Sequence, residues 1–166
     1  MGVALDRGVA GIQRAHRRLA NHYLLRYAAE LKEYQRQKKA FLDNPGDTGA
    51  KAGGSQQARP TEQRAVRSVS YDEQQEAYYW LRAVEISCRH LSKRSRLFLE
   101  ARRQAADCRN WVLYTQQHYA AELEKQGLTA GLSEATVRHG WYRLVGKVAE
   151  VYLLLRCAKG GYHDAD

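Results

Sequence analysis

The chain has 166 residues, with 27 Lys and Arg against 18 Asp and Glu, a net charge of +9 and 44% hydrophobic residues. This balance, with only two prolines, excludes a collagen-like or wholly disordered chain and leaves enough apolar material for one core. No apolar run reaches the roughly 18 residues of a membrane-spanning helix, residues 1–20 lack the apolar block of a signal peptide, and three widely spaced cysteines suit neither a disulfide framework nor a zinc ribbon, so a soluble cytoplasmic protein without a membrane span is expected.

The charge is concentrated at the start. Residues 1–42 hold nine Lys or Arg and three acids, a net of +6. There Ala20, Leu24, Tyr27, Leu31, Tyr34 and Phe41 fall at alternating steps of four and three, interrupted at Lys38, which predicts a helix over residues 12–42. Its opposite face carries Arg18, Lys32, Arg36 and Lys39. So narrow a stripe suits pairing with a second copy, docking on the chain's own domain or contact with RNA polymerase, and the basic face suits nucleic acid or a membrane surface. Residues 43–70 follow as a linker and entry segment. The part from Asp43 to Arg59 is Gly-, Ser- and Ala-rich, has no apolar periodicity, and reads as flexible.

Residues 71–166 read as a small helical domain. Ala77, Leu81, Val84, Cys88 and Leu91 predict a helix over 71–91. Ser92 offers an N-cap to a short helix over 93–106, with Leu97, Ala101 and Ala105 inward. Asp107 is expected to cap the next helix, marked by Val112, Gln116, Tyr119 and Leu123 and closed by Gly127. Ser133 caps the last helix, where Val137, Trp141, Leu144, Val148, Val151 and Leu155 repeat, and Gly160 and Gly161 end it. Strand signals are almost absent. The expected fold is all-α: a long N-terminal helix on a flexible linker plus a small helical domain ending in a helix-turn-helix.

Catalytic machinery is missing from this pattern: there is no Gly-rich phosphate loop, His-Glu-x-x-His or Cys-x-x-Cys. Cys88 and His90, two apart on a helix, point to different faces and could not readily share an ion. No enzyme, cofactor or metal site is expected. The short Gly-containing connection between residues 127 and 133, followed by a capped amphipathic helix, is instead how a helix-turn-helix presents its recognition helix. Residues off the apolar stripe, Ser133, Thr136, Arg138, His139 and Arg143, are the expected base-reading set on double-stranded DNA. Lys93, Arg94, Arg96, Arg102, Arg103 and Arg109 are the expected phosphate contacts. Trp141 is assigned to core packing because it lies on the strongest stripe.

The order of these features resembles the RinA/ArpU-type family of phage late-gene transcription regulators. The resemblance is carried by the basic helix YLLRYAAELKEYQRQKKAFL, the entry Pro60-Thr61-Glu62, the helical pair WLRAVEISCRHLSKRSRLFLEARR and the Leu132-Ser133-Glu134-Ala135-Thr136-Val137 start of the last helix. It implies a sequence-specific DNA-binding regulator acting in a bacterial host, with a helix-turn-helix related to the promoter-reading region of sigma factors. Two departures stand out: Glu100-Ala101-Arg102-Arg103 replaces the Leu-Arg-Tyr ending of the helical pair, and the segment from Trp111 to Ser133 is longer than the usual spacing. A rival reading is a phage small terminase subunit or another helical assembly protein. A third is a protein-binding helical module.

Overall fold

A computed structural model describes residues 12–44, 60–129 and 131–160. Among them the chain forms six α-helices and no strand: α1 (Arg14–Asp43), α2 (Pro60–Gln74), α3 (Glu76–Arg89), α4 (Lys93–Gln104), α5 (Trp111–Glu124) and α6 (Glu134–Gly160). The all-α expectation therefore holds, with the long N-terminal helix present. Most of the expected linker, residues 45–59, lies outside the described residues, as does Gly161.

The main core joins α1, α3 and α6. Ala20, Ala83 and Ala149, one from each helix, are fully buried, so the three backbones approach closely. Around them the aromatic residues order the packing. The Trp80 indole of α3 lies flat on the Tyr152 ring of α6, centroids 3.7 Å apart and planes within 2°, with Tyr23 of α1 parallel to it at 5.9 Å. Trp141 is 1% exposed, and its indole N–H donates to Asn21 Oδ1 at 2.9 Å. Ala20, Leu24 and Tyr34 of the α1 stripe are thus buried against the chain's own helices. Ala20 and Leu24 are at 0% exposure, whereas Phe41 at the far end of the stripe is exposed.

Helix α1 is kinked at Arg26 (φ −109°, ψ 19°). Just before the kink, Arg103 Nε donates to the Leu24 carbonyl at 2.9 Å, and Arg26 itself reaches Asp107 at 3.1 Å. A side chain competing for a helix carbonyl is a recognised cause of such a bend. Beyond the kink α1 meets α2 and α3 in a second cluster of Tyr34, Tyr71 and Leu81. Asp72 accepts from Tyr34 Oη and from Lys38 Nζ, the latter at 2.7 Å, and so ties the two helices together.

Three boundaries differ from the sequence reading. Residues 60–70, expected as an entry segment, are helical, with Pro60 in the first-turn position proline tolerates. The helix expected over 71–91 is two helices, broken at Gln75 in extended conformation (φ −94°, ψ 119°). The break lets Tyr71 and Asp72 hold α1 beyond the kink while Tyr79 and Trp80 sit in the main core. Asp107 is not a cap either: α5 starts after Asn110, and the Asp107 carboxylate faces Arg26.

Candidate nucleic-acid interface

Helices α4, α5 and the first turns of α6 form the region where the sequence places a helix-turn-helix. Its local geometry follows from three polar devices. Gly127, at φ 69°, closes α5: Leu128 N–H donates to the Leu123 carbonyl at 3.0 Å and Gly127 N–H to that of Glu124 at 2.9 Å. This is the paired 6→1 and 5→2 pattern of a left-handed helix end. Gln116 Nε2 then donates to the Leu132 carbonyl at 2.6 Å and pins the connection to α5. Ser133 Oγ accepts the Thr136 N–H at 3.1 Å and starts α6.

Each residue of the expected base-reading set, Ser133, Thr136, Arg138, His139 and Arg143, is exposed. They do not form one face. Arg138 and Arg143 are five residues apart, about 140° around the helix at ~100° per residue. Arg138 turns toward α5, with its guanidinium 5.9 Å over the Trp111 ring and 3.9 Å from Glu134. Arg143 turns the other way, to the edge of a cleft between α4 and α6 that it shares with Arg94 and Lys147. His139 lies between these flanks. Lys147 was missed at the sequence level, although its position four residues after Arg143 places it on the same side of α6.

The phosphate set divides. Lys93, Arg94, Arg96 and Arg109 are exposed, and Arg109 borders the same hollow as Arg138. Arg102 is a correction. It is 5% exposed, with its guanidinium 4.3 Å from the Trp111 ring and 4.9 Å from that of Trp141. Its Nη1 donates to the Ala105 carbonyl at 3.2 Å, and its Nε is buried without a partner among the described residues. Burial lowers its pKa from the ordinary arginine value. A guanidinium in that position cannot reach a phosphate; it fastens the end of α4 to the start of α5 and to α6. Arg103 is half-buried and committed to the Leu24 carbonyl and, at 2.8 Å, to Glu100, which likewise removes it from the phosphate set. The sequence signal for Arg102 was available in part: it falls three residues after the buried Leu99, on the same side of α4.

Cys88 and Cys108 are half-buried and burial raises the pKa of Cys88. Among the described residues no three His, Cys, Asp or Glu side chains are placed to hold a metal ion, and no helix is long and apolar enough to cross a membrane. No protein-family model, curated protein or solved structure matches the chain.

Proposed function

We propose that this protein binds double-stranded DNA with the exposed opening of α6 and acts as a sequence-specific regulator of transcription, of the kind that controls phage late genes. The reading rests on one observation: a serine-capped helix start whose outward residues are exposed between two groups of cations, Arg94, Arg143 and Lys147 on one side and Arg109 and Arg138, with Glu134 beside them, on the other. A helix N-terminus offers free backbone N–H groups and partial positive charge to phosphate. Arg143 and His139 can then address base edges in the major groove, where arginine pairs with guanine. Lys93, Arg94, Arg96 and Arg109 neutralise phosphates and set the register without reading sequence. The late-gene assignment comes from the resemblance in the order of features, and the DNA reading does not depend on it.

The test is a binding selection on random duplexes followed by affinity measurements on the enriched site. Arg143→Ala should weaken binding about 5- to 150-fold and relax preference at one position. Arg94→Gln should weaken all sequences alike and lower the slope of log affinity against log salt by about 0.9. Absence of an enriched motif, or unchanged affinity and preference in both Arg138→Ala and Arg143→Ala, would overturn the reading.

A further inference from the structure

The cleft beside Arg143 has more in it than a DNA-reading arginine requires. It measures about 420 Å³ and opens between α4, α5 and α6, within the range of small-molecule sites. Its floor is apolar: Leu91, Phe98, Tyr119, Leu132 and Leu144. Arg94, Arg143 and Lys147 stand along it, all exposed, and no carboxylate lines it. None of these three cations has an ion-pair partner among the described residues. Gly140 forms part of the wall. A Cβ there would meet nothing nearer than Phe98 Cζ at 3.7 Å, ordinary contact distance. Steric crowding therefore does not demand a glycine, and a glycine inside a helix is costly relative to alanine. Its effect is to leave the space over the Phe98 ring open.

We infer that this cleft binds a small amphipathic organic anion, an aromatic or branched aliphatic carboxylate, with its apolar body on the Phe98–Leu144 floor and its charge among Arg94, Arg143 and Lys147. Apolar lining with a few convergent polar groups is the general design of a ligand site, and three unpaired cations without an acid select for negative charge. A bound carboxylate engages Arg143, and, insofar as the DNA reading holds, ligand and DNA compete for that guanidinium. The protein then releases its operator when the anion is abundant.

The direct test needs no DNA. Titrating the full chain with naphthalene-2-carboxylate, followed by calorimetry and by amide shifts of Gly140 and Leu144, should show one saturable site. Naphthalene-2-methanol, the uncharged counterpart, should bind at least about tenfold more weakly, and inorganic phosphate, which lacks an apolar body, should leave the Gly140 and Leu144 amides unmoved. Lys147→Gln, on the exposed surface, should weaken the carboxylate about fivefold, and Gly140→Leu should abolish binding by filling the space over Phe98. Equal binding of carboxylate and alcohol, no saturation up to about 10 mM carboxylate, or full affinity in both variants would overturn the inference. Displacement of an enriched duplex by the carboxylate supports the regulatory link; carboxylate binding with undiminished DNA affinity would overturn that link alone. Failure of the duplex selection with carboxylate binding intact would sink the DNA reading and leave the cleft standing.

Discussion

The two halves of α6 keep different company. From Val145 to Tyr152 its inward residues are buried against α1 and α3 in a core of aromatic stacks and close-packed alanines. From Ser133 to Arg143 most side chains are exposed and only Val137 and Trp141 are buried, while α4 and α5 pack on each other through a separate cluster of Ala101, Tyr119 and Leu123. The first half is fixed by apolar area, which is proportional to what is removed from water. The second buries less, through Val137 and Trp141, and adds individual directed contacts: an arginine between two indoles, a glutamine on a carbonyl and a serine cap. A helix anchored at one end by a broad core and at the other by two buried side chains and a few directed contacts can present a surface without burying it.

The comparison breaks most visibly at Trp80. It is 1% exposed and stacked on Tyr152, so Trp80→Ala should destabilise the protein by about 3–5 kcal/mol, read as a lower urea midpoint at unchanged slope. A loss below about 1 kcal/mol would mean that the α1–α3–α6 core is not where stability resides. In the other half the sensitive residue is Arg102. Arg102→Ala removes the guanidinium from between Trp111 and Trp141 and should cost about 2–3 kcal/mol. Arg102→Met, which fills the space without a buried charge, should recover part of that loss. Because Arg102 is buried, Arg102→Met should also leave the salt slope of DNA binding unchanged, whereas Arg94→Gln should lower it. A reduced slope in Arg102→Met would reinstate Arg102 as a phosphate contact.

These two regions also differ in how legibly the sequence announces them. The 4-3 stripe from Ala20 to Tyr34, and the repeat from Val137 to Leu155, could be read directly because area-driven packing follows helical period. Ser92, Gly127 and Ser133 were equally legible, since caps are local chemistry. The break at Gln75 was not. It has neither Gly nor Pro to mark it, and what produces it is tertiary: Asp72 is held by Tyr34 and Lys38 of a helix some 34 residues or more away in the chain. Arg102 and Arg103 escaped for the same reason. Composition counts every arginine as available charge, and only the fold reveals that one is sandwiched by Trp111 and Trp141 while its neighbour is bound to Leu24. Asp107 had the right type for a cap, but Arg26, 81 residues earlier, claims it.

The join between α1 and α2 gives a smaller effect with a defined pH dependence. Burial, then the Asp72 carboxylate that accepts its hydrogen bond, raises the pKa of Tyr34 above the usual tyrosine value of 10.0. The unfolded chain therefore releases this proton at lower pH than the folded one. Stability from Tyr34 is complete below about pH 10 and declines as pH rises beyond it. Tyr34→Phe should cost about 1.5 kcal/mol at neutral pH and flatten the alkaline decline in a series of denaturation curves. Tyr23 and Tyr27, also raised chiefly by burial, leave a residual slope. An alkaline limb identical to that of the wild type would remove Tyr34 from the account.

The smallest effects separate structure from recognition most cleanly, because α4 and α6 begin with the same device. Ser92 Oγ accepts the Ser95 N–H at 3.2 Å and meets the Ser95 hydroxyl at 2.9 Å; Ser133 Oγ accepts the Thr136 N–H at 3.1 Å and meets the Thr136 hydroxyl at 2.8 Å. Loss of either cap should cost about 1 kcal/mol, so Ser92→Ala and Ser133→Ala should lower the urea midpoint alike. Their effects on DNA should differ. Ser133→Ala frays the helix that carries His139 and Arg143 and should change base preference as well as affinity. Ser92→Ala loosens only the turn bearing Lys93 and Arg94, and should weaken all duplexes equally. If the two variants proved indistinguishable on DNA as well as in urea, the division of labour between α4 and α6 would have no basis, however similar their folds.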